Sequence, residues 1–429
     1  MAQSFEPAMK QMTAPPREEI AAIVGAANIR SATQADQVDG VLPGIVVEPG
    51  TQEELGKVLA CAGRAGLAVI PRGGGTKIGW GNPPRRADLV LSTARLNGIL
   101  EHAWADMTAT VQAGCKVAQF QRTLAEHGQR LALDALWPER ATIGGILATN
   151  DSGALRARFG SLRDLIIGVT LALADGTLAR SGGKVVKNVA GYDLPKLAAG
   201  SLGTLGVITE AVFRLHPLAH EARSLTFTAS SLKMLSSLAD RIRDSRLAYS
   251  CLQLRAESNS EPSLDVAFEG TRAGLDAQEK QLRQLAAKAA PKDSANCWNA
   301  REALWNEGDA KVVATFSVLP TQIAEFCAAL GSAGTAQKLT WKVVAQAIGV
   351  GQLSLGASSE DALVAALESL RANAEALGGT VVALRCSHPL KSRFNIWGAP
   401  SDSVALMRQV KAQLDPGQVL NPGRFVGGI

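Results

Sequence analysis

Five glycines fall within the eleven residues Pro71–Gly81, "PRGGGTKIGWG", directly after the apolar run "LAVI". Glycine loses more backbone entropy on ordering than any other residue. Such density therefore calls for a backbone path or a close approach that side chains forbid. The flanking sequence places the loop. "GIVVEP" reads as a strand, Thr51 caps the helix that follows, and Glu54 completes a capping box. Leu55, Val58, Leu59 and Ala62 form one buried stripe, Gly66 ends the helix, and "LAVIP" is the next strand. The loop thus lies beyond the carboxyl end of a strand in a βαβ unit, where α/β proteins hold ligands.

Three more glycine-rich stretches occur within the first 206 residues: "ATIGGILATNDSG", "SGGKVVKNVAGYD" and "GSLGTLGVIT". Each alone reads as a tight turn. Together, mostly beside strands, they point to a phosphate-bearing cofactor, because consecutive N–H groups in such turns form an anion-binding nest. Neither common nucleotide motif fits. Lys77 follows Thr76 with no serine or threonine after it, against Walker A, and counting from Gly73 and Gly75 places Ile78 where the Rossmann fingerprint needs glycine.

Several function classes drop out on composition. The chain has 429 residues, 46% hydrophobic and 19% charged, which suits two globular domains rather than disorder. Its net charge of +5 is scattered, so nucleic acid is not an expected partner. The N-terminus lacks the pattern of a signal peptide, and "LIIGVTLALA" is about half a membrane span. The six cysteines are dispersed without a C-x-x-C pair, and read as reduced, mostly buried thiols in the cytoplasm. Further along, "DLVLST", "ILEHAW" and "TATVQAG" read as strands, and a helix carries Val117, Phe120 and Leu124 on one face. "IIGVTLALADGTLARSGG" reads as a hairpin with Asp175-Gly176 in a primed turn. After Pro217 the glycine density falls, and two successive sets of strands and helices suggest an α+β cap.

"VVEPGTQEEL", "VIPRGGGTKIG", "ATIGGILATNDSG", "RFGSLRDLIIGV" and "GYDLPKLAAGSLGTLGVIT", in this order and spacing, resemble the FAD-binding domain of the vanillyl-alcohol oxidase/p-cresol methylhydroxylase type. Within that superfamily "VVKNVAGYDLPKLAAGS", the cap length and the closing "LDPGQVLNPGRF" are similar to the FAD-binding subunits of glycolate oxidases. The resemblance implies an α+β fold: a two-subdomain FAD-binding domain at 40–220, an α+β cap at 221–385, and a C-terminal segment at 386–429 returning to the FAD domain, with 1–39 as an extension. It implies FAD held by the Arg72, Gly73, Gly74, Gly75 and Thr76 loop against diphosphate, by Pro138, Thr142, Gly144 and Gly145 beside diphosphate and flavin, and by backbone bonds from Val207 and Ile208 to adenine. The implied reaction is oxidation of glycolate or a related 2-hydroxy acid, with electrons passed to an iron–sulfur subunit beside a second, related FAD subunit. Membrane contact would come only through those partners, placing the chain in the cytoplasm or peripherally on the inner membrane face.

Departures from the family pattern narrow the chemistry. Thr76 stands where covalent flavoproteins of this type often carry histidine, so FAD is expected to be non-covalent. Leu202 replaces a glutamate in "GSLGTLG". The H-x-G-D-G-N-x-H-like cap segment of the 2-hydroxy-acid dehydrogenases is missing; "ALRCSHPLKSRFNIWG" offers one histidine, His388, as a weak candidate base or carboxylate contact, or as a solvated capping residue. His216 and His220 read as structural, and His102 and His127 lack partners at metal-ligand spacing. Arg140, Arg156 and Arg158 could meet an anionic substrate, an acidic partner, or only water. No metal site is expected. The alternatives are a self-sufficient 2-hydroxy-acid dehydrogenase and a non-catalytic flavin-holding subunit. If the backbone meets the ligand at Gly74 and Gly145, valine there should displace FAD, whereas Gly63→Ala should be mild or stabilising.

Overall fold

The computed structural model describes residues 16–184, 191–286, 291–293, 296–306, 308 and 310–429. The stretch 185–190, part of the "VVKNVAGYD" run, lies outside the described residues. The first sheet contains β1 (Ile29–Ser31), β2 (Ile45–Val47), β3 (Val69–Arg72) and β4 (Leu89–Ser92) in the order β1-β2-β4-β3. β2, β4 and β3 run parallel, and β1 pairs antiparallel with β2 through Ile29 and Val47. β2 and β4 are buried along their whole length, as parallel strands covered on both faces must be. The helix Gln52–Arg64 has the expected cap, with Thr51 Oγ1 accepting the Glu54 amide at 3.1 Å. Glu54 reaches one residue further back than a standard box, to the Gly50 amide at 2.7 Å.

Residues 17–31, read as part of an extension, belong to this layer. The helix Arg17–Val24 buries Ile20 and Val24 against Leu55, Val58 and Leu59. A three-residue strand has too little alternation to be visible before its partner is known.

The second layer comprises β5 (Ile99–Ala103), β6 (Thr108–Gln112), the short β7 (Gln129–Arg130), β8 (Ile166–Ala172), β9 (Leu178–Gly182), β10 (Val207–Arg214) and the short β11 (His216–Pro217). Five of them form an antiparallel sheet ordered β5-β6-β10-β8-β9, while β7 pairs with β11. The β8–β9 hairpin is present, but its turn differs from the primed one. Leu173 N donates to Thr177 O, and only Gly176 has positive φ, +90°. This is a three-residue loop with glycine in the left-handed position, and Asp175 instead accepts the Thr177 amide at 2.8 Å.

The cap is one eight-stranded antiparallel sheet: β12 (Glu221–Thr228), β13 (Tyr249–Glu257), β14 (Ser263–Gly270), β15 (Lys292–Asp293), β16 (Val312–Ser317), β17 (Thr340–Gln346), β18 (Val350–Gly356) and β19 (Thr380–Arg385). The two sets of elements seen in sequence join through β13 and β17, with Gln253 opposite Gln346. Helices Leu232–Arg243, Arg272–Ala286, Ile323–Gln337 and Glu360–Ala376 pack with Leu252, Leu254, Phe316, Val343 and Leu353 of this sheet in one core. The alternate residues Gln253, Thr315, Val344, Gln346 and Gln352 face the other way, towards the FAD-binding-type domain. The tail crosses back to the first sheet: Val69 N donates to Val419 O and Asn421 N donates to Val69 O. Among the described residues, no helix is long and apolar enough to cross a membrane.

Asp36, buried at 3% exposure, ties the first sheet to the start of the glycine loop. It accepts from Arg30, from Arg72 at 2.8 Å and from Thr33. Arg30 above all, with Thr33 and Arg72, holds its carboxyl well below the ordinary carboxylate range against the opposing effect of burial. A depressed folded-state pKa gives stability that is present above the unfolded pKa and lost as pH falls through the folded one. Asp36→Asn should therefore cost on the order of 1–3 kcal/mol at pH 7. Chemical denaturation across pH 7 to 3 should show the gap to wild type shrinking below about pH 4; a gap independent of pH would refute the ionised role.

Candidate cofactor and substrate site

The glycine loop leaves β3 at Arg72, whose side chain turns back to Asp36 and whose carbonyl accepts the Thr93 amide. Five successive carbonyls after the loop's apex are then held by two buried cations from the far end of the chain. Lys391 donates to Gly79 O at 2.6 Å and Gly81 O at 3.0 Å, and pairs with Asp39 at 2.9 Å. Arg424 donates to Ile78 O, to Trp80 O at 2.6 Å and to Asn82 O at 3.3 Å. Burial pulls the Arg424 guanidinium down to about 10, still charged at neutral pH. The amides of Gly73, Gly75 and Thr76 find no acceptor among the described residues, and that of Gly74 makes only a 3.4 Å contact with Thr142 Oγ1. Gly75 is left-handed at φ +71°, which glycine adopts without strain. Consecutive free amides in such a turn suit an anion.

Two narrow clefts meet at this loop. One runs past Thr76, Lys77, Thr142, Gly145, Asn421 and Arg424. The other runs past Gly144, Gly145, Gly203 and Gly206 to Val207 and Ile208. At Val207 and Ile208 one edge of β10 pairs with β8, while the other edge is engaged only from Thr209 onward, whose carbonyl accepts the Ala113 amide at 2.9 Å. The first cleft shares Trp80, Thr149 and Leu202 with a cavity of about 760 Å³ under the cap sheet. Trp137, Asn150, Leu202 and Asn421, all near this line, are non-glycine residues with positive φ. Such strain persists where the surroundings over-determine the backbone.

The expected residues divide into groups. Gly73 to Thr76, Thr142 and Gly145 converge on one cleft, and Gly144, Val207 and Ile208 on its continuation. The amide of Gly144 is engaged by Ala113 O at 2.7 Å, so this residue offers closeness rather than a donor. Pro138 lines the large cavity near Glu139 and Arg122, away from the glycine loop's lining. His388 is not brought to the site. It is exposed at the start of the helix His388–Arg393, against Gly40, and lines none of these spaces.

A buried charge network at the cavity wall was missed in the sequence. Lys77 Nζ lies 3.1 Å from Asp151 Oδ2, Arg301 of the cap binds the other Asp151 oxygen, and Arg301 also donates to Asp134 O at 3.0 Å. Burial pushes Asp151 up, but Arg301 and Lys77 outweigh it and hold the carboxyl below its ordinary value. Burial lowers Lys77, against the pull of Asp151. Asp134 goes the other way: burial raises it, with Arg301 opposing, while its oxygens accept the Gly153 and Ala154 amides. Trp80 stacks on Trp305 at 5.6 Å, Trp137 meets Trp305 edge-on at 5.1 Å, and the Lys77 ammonium lies 5.3 Å from the Trp137 ring. The signal was an aspartate inside "ATNDSG", among small residues, but its partners lie far away in sequence.

Among the described residues, those lining the cavity include no histidine, tyrosine, lysine or cysteine. No group of three or more histidine, cysteine, aspartate or glutamate residues among the described ones could hold a metal. Trp80 Nε1, Asn150 Oδ1, Ser152 Oγ and Gln346 Oε1 are buried around the cavity without protein partners, and Asn421 Oδ1 likewise in the adjoining cleft. A long ligand with an anionic middle and a polar, flat end fits this set of donors and acceptors.

Fold and site together suit a dinucleotide-type cofactor whose far end reaches a cavity beneath a cap. The chain belongs to the FAD-linked oxidases: the FAD binding domain matches residues 43–182 and the FAD linked oxidases C-terminal domain matches residues 236–425, and FAD is the cofactor. Glycolate oxidase subunit GlcD of Bacillus subtilis (strain 168) is 30% identical over 64% of this chain, an alignment spanning 57% of that relative's length. D-2-hydroxyglutarate dehydrogenase of Xanthomonas citri pv. viticola is 28% identical over 89% of both chains. D-lactate dehydrogenase [cytochrome], mitochondrial, of Arabidopsis thaliana is 26% identical over 90% of this chain and 74% of that one. Among solved structures, p-cresol methylhydroxylase with substrate bound superposes with a TM-score of 0.74 at 15% identity, covering 95% of both chains. Alkyldihydroxyacetonephosphate synthase gives 0.73 at 18% identity, covering 95% of this chain and 85% of that one.

The glycines separate two kinds of defect. A Cβ on Gly74 would lie 1.9 Å from Arg140 O, so its replacement breaks the protein's own packing. On Gly145 the contact is only Thr142 Oγ1 at 3.2 Å. Gly63 is no innocuous control, since its Cβ would press on Ala174 O at 3.2 Å; the exposed helical Gly274, with only Thr271 Oγ1 at 3.4 Å, is better. Gly145→Val should lose most bound FAD at unchanged far-UV circular dichroism, Gly74→Val should also lower the melting temperature, and Gly274→Ala should do neither. Equal flavin content in all three would rule out the cleft. Lys391→Met, which strands Asp39 and two carbonyls, should also lose FAD and cost about 3–5 kcal/mol; retained flavin at wild-type stability would show that the clamp is dispensable.

Proposed function

We propose that this chain is the FAD-binding subunit of a glycolate oxidase (dehydrogenase) complex, oxidising glycolate or related 2-hydroxy acids to 2-oxo acids. Electrons would pass to an iron–sulfur partner, beside a second, related FAD subunit. The observation that carries the reading is the row of free amides at Gly73, Gly75 and Thr76, in line with the cavity under the cap. In this reading those amides hold the diphosphate, with Thr142 and Gly145 beside it. The open edge of β10 at Val207 and Ile208 meets the adenine. FAD, when bound, would supply the two-electron acceptor that takes a hydride from the alcohol carbon. Trp80 lines the cavity and is backed by Trp305 and Trp137, while Asp151 fixes Lys77 and Arg301 in place.

Alcohol oxidation also requires removal of the hydroxyl proton, for which a positioned base contributes a factor of about 10²–10⁴. Asp134 and Asp151, the buried carboxyls at the wall, are both engaged by donors, and no imidazole lines the cavity. We therefore assign most of the proton abstraction to the related subunit in the assembled complex. The same lining favours, as a second reading, a subunit that holds flavin and relays electrons without chemistry of its own. The names of the D-lactate and D-2-hydroxyglutarate relatives support a third reading, a self-sufficient dehydrogenase.

Acid precipitation of the purified chain should release its yellow chromophore into the supernatant. Anaerobic mixing of the flavin-loaded chain with excess glycolate should bleach slowly alone and rapidly once partner subunits are added. Bleaching within seconds by the chain alone would favour the self-sufficient enzyme. No bleaching assignable to this flavin in the complex would favour the relay.

A further inference from the structure

Among the described residues, the charges around the cavity leave one cation without an ion pair. Three arginines line it: Arg122, Arg156 and Arg301. Arg122 pairs with Glu139 at 3.0 Å at the exposed rim, and Arg301 is held by Asp151 and the Asp134 carbonyl. Arg156, half-buried, has no ion pair or side-chain hydrogen bond among the described residues. Burial pulls its guanidinium below the ordinary value, and Asp164 and Arg163 act on it more weakly in opposite senses. A desolvated cation without a partner is costly, and a bound anion removes that cost. The other unpartnered groups, at Asn150, Ser152, Gln346 and Trp80, are neutral, so they select polarity rather than charge. A second ligand carboxylate would find no further unpaired cation among the described residues and would face Asp134 and Asp151.

We propose that Arg156 is the carboxylate-recognition residue of this cavity and that the cavity selects ligands with a single carboxylate. This rests on the reading that the cavity takes a 2-hydroxy acid, and it narrows that class to monocarboxylates. The guanidinium offers a planar pair of donors that matches a carboxylate in two parallel hydrogen bonds, which Lys cannot reproduce.

The test uses the flavin-loaded full chain under anaerobic conditions, with binding followed by the first perturbation of the flavin spectrum. The ligands are glycolate, its neutral amide glycolamide, and 2-hydroxyglutarate. Arg156→Gln should weaken glycolate about 10- to 100-fold, Arg156→Lys less, and neither should change glycolamide affinity or flavin content. Wild type should bind 2-hydroxyglutarate at least about 10-fold more weakly than glycolate. The inference is overturned by unchanged glycolate affinity in Arg156→Gln, by a parallel loss of glycolamide, by equal binding of the dicarboxylate, or by wild type that binds no carboxylate. Flavin loss from both variants would assign Arg156 to the cofactor and overturn it too. Arg156-dependent glycolate binding without oxidation in the complex would remove the proposed reaction and leave this inference standing. Oxidation that survives Arg156→Gln with unchanged affinity would do the reverse.

Discussion

Two buried ammonium and guanidinium groups at the carbonyls of residues 78–82 are the constraint on which the cofactor site depends. A glycine-rich loop has no side chains to hold its own path, and its polar backbone cannot be buried unpaired. Lys391 and Arg424 take the carbonyls, which leaves the amides at the loop's other end free to face a ligand. Both cations are more than 300 positions downstream, as the Gly79–Lys391 separation of 312 shows. The loop is therefore complete only after the tail has docked. A third buried cation, Lys411, bonded to Thr204 O at 2.7 Å and Leu420 O at 2.9 Å, fixes the tail against the other glycine-rich loop. Site assembly thus rests on contacts that are far apart in sequence.

That non-locality sets what the sequence could reveal. The helix Gln52–Arg64 was legible because its cap, stripe and stop all lie within 17 residues, Gly50 to Gly66. The glycine loop was legible because the need for close approach is written into consecutive letters. β1 was not, because three residues carry no period and its partner lies beyond a loop. The Asp175-Gly176 turn was half right: glycine takes the left-handed position, but Asp175 keeps negative φ and bonds Thr177 instead. Nothing in the linear sequence links Lys77, Asp151 and Arg301. Only the fold brings one carboxylate between two cations and away from water, where each would otherwise carry a large desolvation cost.

Arg301 also joins the two domains. Its partner Asp151 is fully enclosed, so separating cap from FAD domain would leave that carboxylate with Lys77 and the Leu136 amide but without Arg301. The tryptophans packed over the same spot add apolar area to the junction. Charge supplies register here and the aromatic rings supply most of the attraction, because a buried ion pair by itself gains little over well-packed apolar groups.

The cap sheet explains how chemistry and fold can change separately in such a chain. Along each strand, alternate residues serve different masters: Leu252 and Leu254 belong to the helix-covered core, while Gln253 between them faces the cavity. The same holds for Val343 and Ala345 against Val344 and Gln346, and for Leu353 against Gln352. Substitutions on the cavity face leave the helix-packed core intact, so long as each buried polar group keeps a partner. In this chain that face carries glutamine and threonine, residues that can orient a ligand but cannot take a proton at neutral pH. A roof of neutral amides can bind and orient a ligand, but it supplies no proton acceptor of its own. In the proposed reading, that is why proton abstraction is assigned away from this face.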